Sequence, residues 1–284
     1  MKLPMPDTQT TSSHWSDRGS RSIPKIDITS TRQGNAPATP ITLLRLTLLG
    51  RPFIGVAIVV GVLVTGWWPA TPIALWFHYG STASAIHHLI HASLGLRPRT
   101  RDRWLTALGL LIAESGHAWQ STHVLHHRDG TDLPDPEGYI ETLSWRQLPW
   151  GALQWRFRMQ AWGWRHGRRR SLIRREVTAI ALTTALAVGL APITFLPAAY
   201  IALMQLGTLL FAVVLAKGPQ NRFGLATTPL TMVHSRLFAV VMFNHHMHLE
   251  HHAYPKVPLA HLAQLRPQVE DALTHETIDH VRFV

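Results

Sequence analysis

Two apolar stretches, each broken once by a proline-bearing turn, constrain the fold more than any other feature. The first runs from Pro52 to Trp68 and resumes at Ile73, with Pro69-Ala70-Thr71-Pro72 between. The second runs from Val177 to Leu215 and is broken at Ala191-Pro192-Ile193-Thr194-Phe195-Leu196-Pro197. About 20 apolar residues cross a bilayer as a helix, because a helix satisfies its own backbone groups there. The pattern predicts an all-α integral membrane protein with about four transmembrane helices in two hairpins. Trp67 and Trp68 would mark the far interface.

The basic residues sit between these runs. Arg97, Arg99, Arg101 and Arg103 follow the first hairpin, and Lys217 and Arg222 follow the second. Residues 145–175 hold nine Arg and five Trp and no Asp or Glu. Such blocks collect on the cytoplasmic side. Both termini and a cytoplasmic helical cap are therefore expected there, with 145–175 seated on anionic headgroups. The net charge of +11 reads as membrane-associated, with no nucleic-acid partner. Residues 1–40, rich in Ser, Thr and Pro, are expected to be a disordered tail, leaving 41–284 as one membrane domain. The tail lacks the apolar core of a secretory signal. Trp104 to Ala113 is too short to span and is expected in the interface or re-entrant.

Histidine carries the chemistry. Five imidazoles fall between His245 and His252. His248, His251 and His252 lie at i, i+3 and i+4, one face of a helix. The same spacing occurs at His123, His126 and His127, and His87, His88 and His91 form a third cluster. Neutral imidazoles converging on one point suit iron, zinc, copper or nickel. The chain has no cysteine, so disulfides, thiolate zinc, iron–sulfur clusters and a thiol nucleophile are excluded. All three clusters fall near the expected cytoplasmic ends of helices, which points to one composite site.

The bland readings apply to the remaining histidines. His14, His166, His261, His275 and His280 read as surface residues, and His78 as a helix residue bonding a nearby carbonyl. His88, His117, His245 and His246 lie inside or beside the clusters. Each reads as a supporting or solvent-facing group before it reads as a ligand.

The ordered clusters resemble the membrane fatty acid desaturase superfamily, the histidine-box di-iron oxygenases. His87-His88-Leu89-Ile90-His91 is similar to that family's first box. Trp119-Gln120-Ser121-Thr122-His123-Val124-Leu125-His126-His127 matches the second. Asn244 through Pro258 resembles the third, with Pro255-Lys256-Val257-Pro258 after the last histidine pair. The resemblance implies two non-haem irons held by His87, His91, His123, His126, His127, His248, His251 and His252. It leaves His88, Asn244, His245, His246 and Glu250 as additional or supporting groups, with His234 another candidate for a further ligand. His88 departs from the family pattern, in which bacterial relatives often carry Asp.

The activity implied is O2-dependent removal of hydrogen from an unactivated C–H bond, first of all acyl-lipid desaturation. A carotenoid ketolase or hydroxylase, or a lipid hydroxylase, is the alternative within the superfamily. A bis-His haem electron carrier and a His-rich metal transporter are the alternatives outside it. Glu250, Asp132, Asp135 and Glu137 are candidates to accept the second N–H of a ligating imidazole. An external ferredoxin or flavoprotein-linked electron donor is implied, as is a long apolar substrate. The expected location is the bacterial inner membrane, with the site facing the cytoplasm.

Overall fold

The computed structural model describes residues 40–127, 135–213, 231–234, 236–272 and 279–282. Residues 1–39 of the expected tail, Asp132, Lys217, Arg222 and His275 lie outside them. The helices are α1 (Ile41–Thr65), α2 (Thr71–Ile90), α3 (Pro98–Leu111), α4 (Gly116–His126), α5 (Leu148–His166), α6 (Arg170–Leu190) and α7 (Leu196–Phe211). After strand β1 (Thr231–His234) come α8 (Arg236–Val241), α9 (His248–Ala253) and α10 (Arg266–Ala272). Strand β2 (Asp279–Arg282) pairs in parallel with β1, Thr231 opposite Asp279. Apart from this short ladder, the regular structure among the described residues is helical.

Helices α1 and α2 form the first hairpin. Gly66 ends α1 in the left-handed conformation (φ 68°), which glycine adopts without steric cost. Trp67 and Trp68 stand exposed in the turn, and Pro72 opens α2, where its missing N–H has no partner to lose. The two helices touch closely: a Cβ on Gly55 would lie 2.7 Å from the Cα of His78. At the other end, Arg45 of α1 donates to Leu94 O (2.8 Å) and Gly95 O (3.1 Å), just beyond α2. A cation at that helix C-terminus also complements its dipole. Helices α6 and α7 form the second hairpin, with 191–195 as the link.

Among the described residues, α1 alone is long and apolar enough to cross a membrane, with a mean hydropathy of 2.1. Three histidines and the run Gly80-Ser81-Thr82-Ala83-Ser84-Ala85 dilute α2, and Arg174, Arg175 and Glu176 dilute α6. Helix α7 is apolar but has 16 residues. The expected hairpins are therefore present as helices.

Helix α2 is the central element. From His78 to Ile90 every residue is buried, against α1, α3, α4 and α7. Helix α3 packs on α2 and α4 and contains the Trp104–Leu111 stretch expected to lie in the interface. A second, smaller core of Met247, Leu249, Ala253, Tyr254, Leu259, Leu262 and Val269 supports α9. Leu259, Leu262 and Leu265 lie on a 3-10 helix (Leu259–Leu265). Three-residue spacing is the 3-10 period, so the pattern stacks them on one face only there.

Three helices end in the same way, with a residue other than glycine in the left-handed position. Ala92 (φ 56°) follows α2, Ala113 (φ 50°) follows α3 and Phe243 (φ 50°) follows α8. In each case the paired carbonyl bonds of a Schellman turn are made, as in Ser93 N→His88 O and Ala92 N→Leu89 O. Left-handed backbone costs a non-glycine residue about 1 kcal/mol. All three turns adjoin the histidine clusters or the buried Glu114, where stored strain commonly collects.

Candidate metal centre

The C-terminal end of α2, the second half of α4 and the single turn of α9 bring the three clusters together. His87, His91, His123 and His251 form one group and His126, His248 and His252 another, with donor atoms within 4.8 Å inside each. One helical turn thus divides its histidines: His251 joins the first group, while His248 and His252 join the second. His127 lies between the groups. Its Nε2 is 3.2 Å from His123 Nε2 and 2.9 Å from His251 Nε2, and its ring stacks on His252 at 4.2 Å.

Four Nε2–Nε2 separations run through the first group and His127: His87–His251 3.0 Å, His251–His127 2.9 Å, His127–His123 3.2 Å and His123–His91 2.8 Å. Two imidazole nitrogens about 2.1 Å from one ion and at right angles to each other stand about 3 Å apart. Nitrogens at this spacing are bridged by an N–H or by a cation lying between their lone pairs. The residues therefore fit transition-metal ions. Burial, with neighbouring imidazoles adding to it, holds His251 well below the ordinary imidazole range and His91 at about 2. Neutral rings at pH 7 are the form that ligates.

Two carboxylates fix ring orientation. His123 Nδ1–H donates to Glu137 Oε1 at 2.8 Å, which leaves Nε2 as the bare donor facing His91 and His127. His126 Nδ1–H donates to Asp135 Oδ2 at 2.6 Å. Burial pushes the Asp135 carboxyl up, but the bonds from His126 outweigh it and the net shift is downward. Asp135 Oδ1 accepts from Glu137 N (2.9 Å), and Trp155 of α5 donates to Glu137 O (3.0 Å). The segment 135–137 is thereby held as one clasp against α4.

The other candidates divide. His88 is buried and belongs to neither group. Its Nδ1–H donates to Ser84 O (2.7 Å), and its Nε2 accepts from Leu259 N (3.3 Å). It ties α2 to the chain just beyond Pro258. Glu250, a candidate to orient an imidazole, is instead buried against Arg266 at 2.5 Å, because its helix face turns into the smaller core. Asn244 (φ 63°) sits in the turn after α8. The His245 ring lies 5.3 Å from that of His87, and its Nε2 is buried without a hydrogen-bond partner among the described residues. His246 is buried outside both groups, and His261, expected at the surface, is half-buried. The side chains of His234 and His280 lie outside the described structure. His78 has both nitrogens engaged, by Pro52 O (3.2 Å) and Tyr200 OH (2.8 Å).

Two buried acids were missing from the sequence reading. Glu176 of α6 accepts from His117 Nδ1 (2.6 Å), His117 N (3.2 Å), Ser115 Oγ (2.6 Å) and Thr106 Oγ1. Ser115 also caps α4 by accepting from Ala118 N (3.0 Å), so Glu176 anchors the start of the helix that carries His123–His127. Glu114 accepts from Tyr79 OH (2.6 Å) and Thr208 Oγ1 (3.1 Å), with Arg156 Nε at 3.7 Å. Arg156, expected on an interfacial surface, is 2% exposed inside this network. Each acid is alone in an apolar or basic stretch, and that isolation was the available signal.

A sequence model of the family described as "Fatty acid desaturase" matches residues 63–281, which hold all eight histidines that the resemblance implies as ligands. The chain belongs to the fatty acid desaturase family. Membership makes it a desaturase- or hydroxylase-like oxidoreductase of a membrane-associated, lipid-directed family. No curated protein and no solved structure matches it.

Proposed function

We propose that this desaturase-family protein is an O2-dependent di-iron acyl-lipid desaturase that introduces a double bond into a lipid chain. The observation that carries the reading is the division of the histidines into two adjacent groups, with His127 between them. Eight imidazoles, His87, His91, His123, His126, His127, His248, His251 and His252, are the proposed ligands of two non-haem irons. Such a pair with O2 supplies the oxidising power to break an unactivated C–H bond. The chain's own residues hold and orient the ligands. Glu137 and Asp135 keep the Nδ1 protons of His123 and His126 in place, and a ligand's outer partner also raises its basicity. His88, His245, His246, Asn244 and Glu250 support the site from outside the ligand set.

In this reading α1, α2, α6 and α7 span the membrane. The site lies at their cytoplasmic end, in a bacterial inner membrane, with both termini on the same side. Arg45, the Arg97–Arg103 block and the α5–α6 arginines lie toward that end, as the positive-inside tendency requires. Electrons come from an external ferredoxin or flavoprotein-linked donor. Lipid profiling of a host expressing the chain, with and without O2, tests the assignment. New unsaturated acyl chains should require O2 and vanish with His126→Ala. Unchanged acyl chains alongside oxygenated lipids or pigments would move the protein to hydroxylation or ketolation.

A further inference from the structure

The C-terminal end of helix α8 meets the first half of α2, about three turns before His87. Trp76 Nε1–H donates to Val241 O at 2.8 Å. The Phe243 ring stands against Gly80, where an added Cβ would meet it at 2.6 Å, and 6.2 Å from the Phe77 ring. Two residues later, the His245 ring is 5.3 Å from that of His87. Residues 241–245, counting the reach of their side chains, therefore touch α2 from Trp76 to His87. At 1.5 Å per residue these contacts cover about 16 Å of a helix about 30 Å long.

Two features of α8 suit surroundings without water. First, its outward residues are apolar: Leu237 is 75% exposed, Val240 76% and Val241 45%. Ile54 and Ile58 of α1 are also exposed, and they flank Gly55, which packs on His78 at the same level of α2. Second, four carbonyls at its C-terminal end, of the kind helices ordinarily leave to water, have protein donors. Ala239 O accepts from Asn244 N, Val240 O from Phe243 N, Val241 O from Trp76, and Met242 O from His245 N. A helix end in hydrocarbon needs such partners, since each unmade bond there costs several kcal/mol.

We propose that α8 re-enters the bilayer and packs its Leu237–Val240–Val241 face against lipid acyl chains at the depth of Trp76. This rests on the membrane setting of the proposed function. The third histidine cluster is then approached from within the hydrocarbon layer. Acyl chains lie against the segment that leads to His245.

The chain has no native cysteine, so single-cysteine variants report one position each. Leu237→Cys and Val240→Cys are compared with Ile58→Cys on α1 and Arg158→Cys on α5, in open membrane fragments treated with a charged, membrane-impermeant maleimide. Arg158→Cys should label. The other three should label only after denaturation in dodecyl sulfate. A fluorophore at position 237 should also lose emission when lipids bearing a mid-chain nitroxide are added, as one at position 58 does. Labelling of 237 and 240 without labelling of 58, or no nitroxide quenching at 237, overturns the re-entrant helix alone. Labelling at 58 as well overturns the membrane setting and the re-entrant helix together.

Discussion

His88 Nε2 accepts a hydrogen bond from Leu259 N at 3.3 Å, across 171 residues of chain. The same ring donates to Ser84 O, so both nitrogens are occupied by backbone. This side chain, embedded in the first cluster, joins two elements and leaves no atom for an ion. His88→Ala should therefore retain the full iron content. It should lose about 1–3 kcal/mol of stability, the cost of a buried N–H left without a partner. Elemental analysis and denaturant unfolding of the same preparation check both halves.

Asp135 and Glu137 act through imidazoles they hold at Nδ1. Ala at either position should lower metal affinity or turnover roughly 10–100-fold while helical content is unchanged. Chelator competition reads the affinity directly. A variant that binds iron and turns over normally would remove that carboxylate from the site.

Glu176 gathers donors from α3 and α4 onto a carboxylate that is 3% exposed. Glu176→Ala strands several of them and should cost about 3 kcal/mol or more, seen as a lower unfolding midpoint. His166→Ala, on the exposed end of α5, should leave the midpoint unchanged.

Ala92 holds a left-handed turn directly after His91 and is exposed. Ala92→Gly should raise stability by roughly 0.5–1 kcal/mol, because relief of the steric strain exceeds the added freedom of the unfolded chain. A drop in stability would show that the turn is not strained.

The grouping of the clusters at one end of the bundle was legible because helical spacing and charge placement act locally. The partition was not. Spacing places His248, His251 and His252 on one face, yet the turn of α9 sits between two groups and serves both. Nor does spacing show that Glu250 turns away toward Arg266, since that depends on the packing of α10. The hairpins were legible from their apolar runs and proline-bearing turns. The path of α8 along α2 was not, because six residues carry too little periodicity and the Trp76–Val241 bond spans 165 residues.

Iron stoichiometry tests the central claim most directly. Protein purified anaerobically from membranes should contain about two non-haem irons per chain, one for each histidine group. His126→Ala and His251→Ala, which remove a ligand from different groups, should each lower that number. Active protein holding zinc alone, a single iron that both variants leave in place, or a haem Soret band would contradict it.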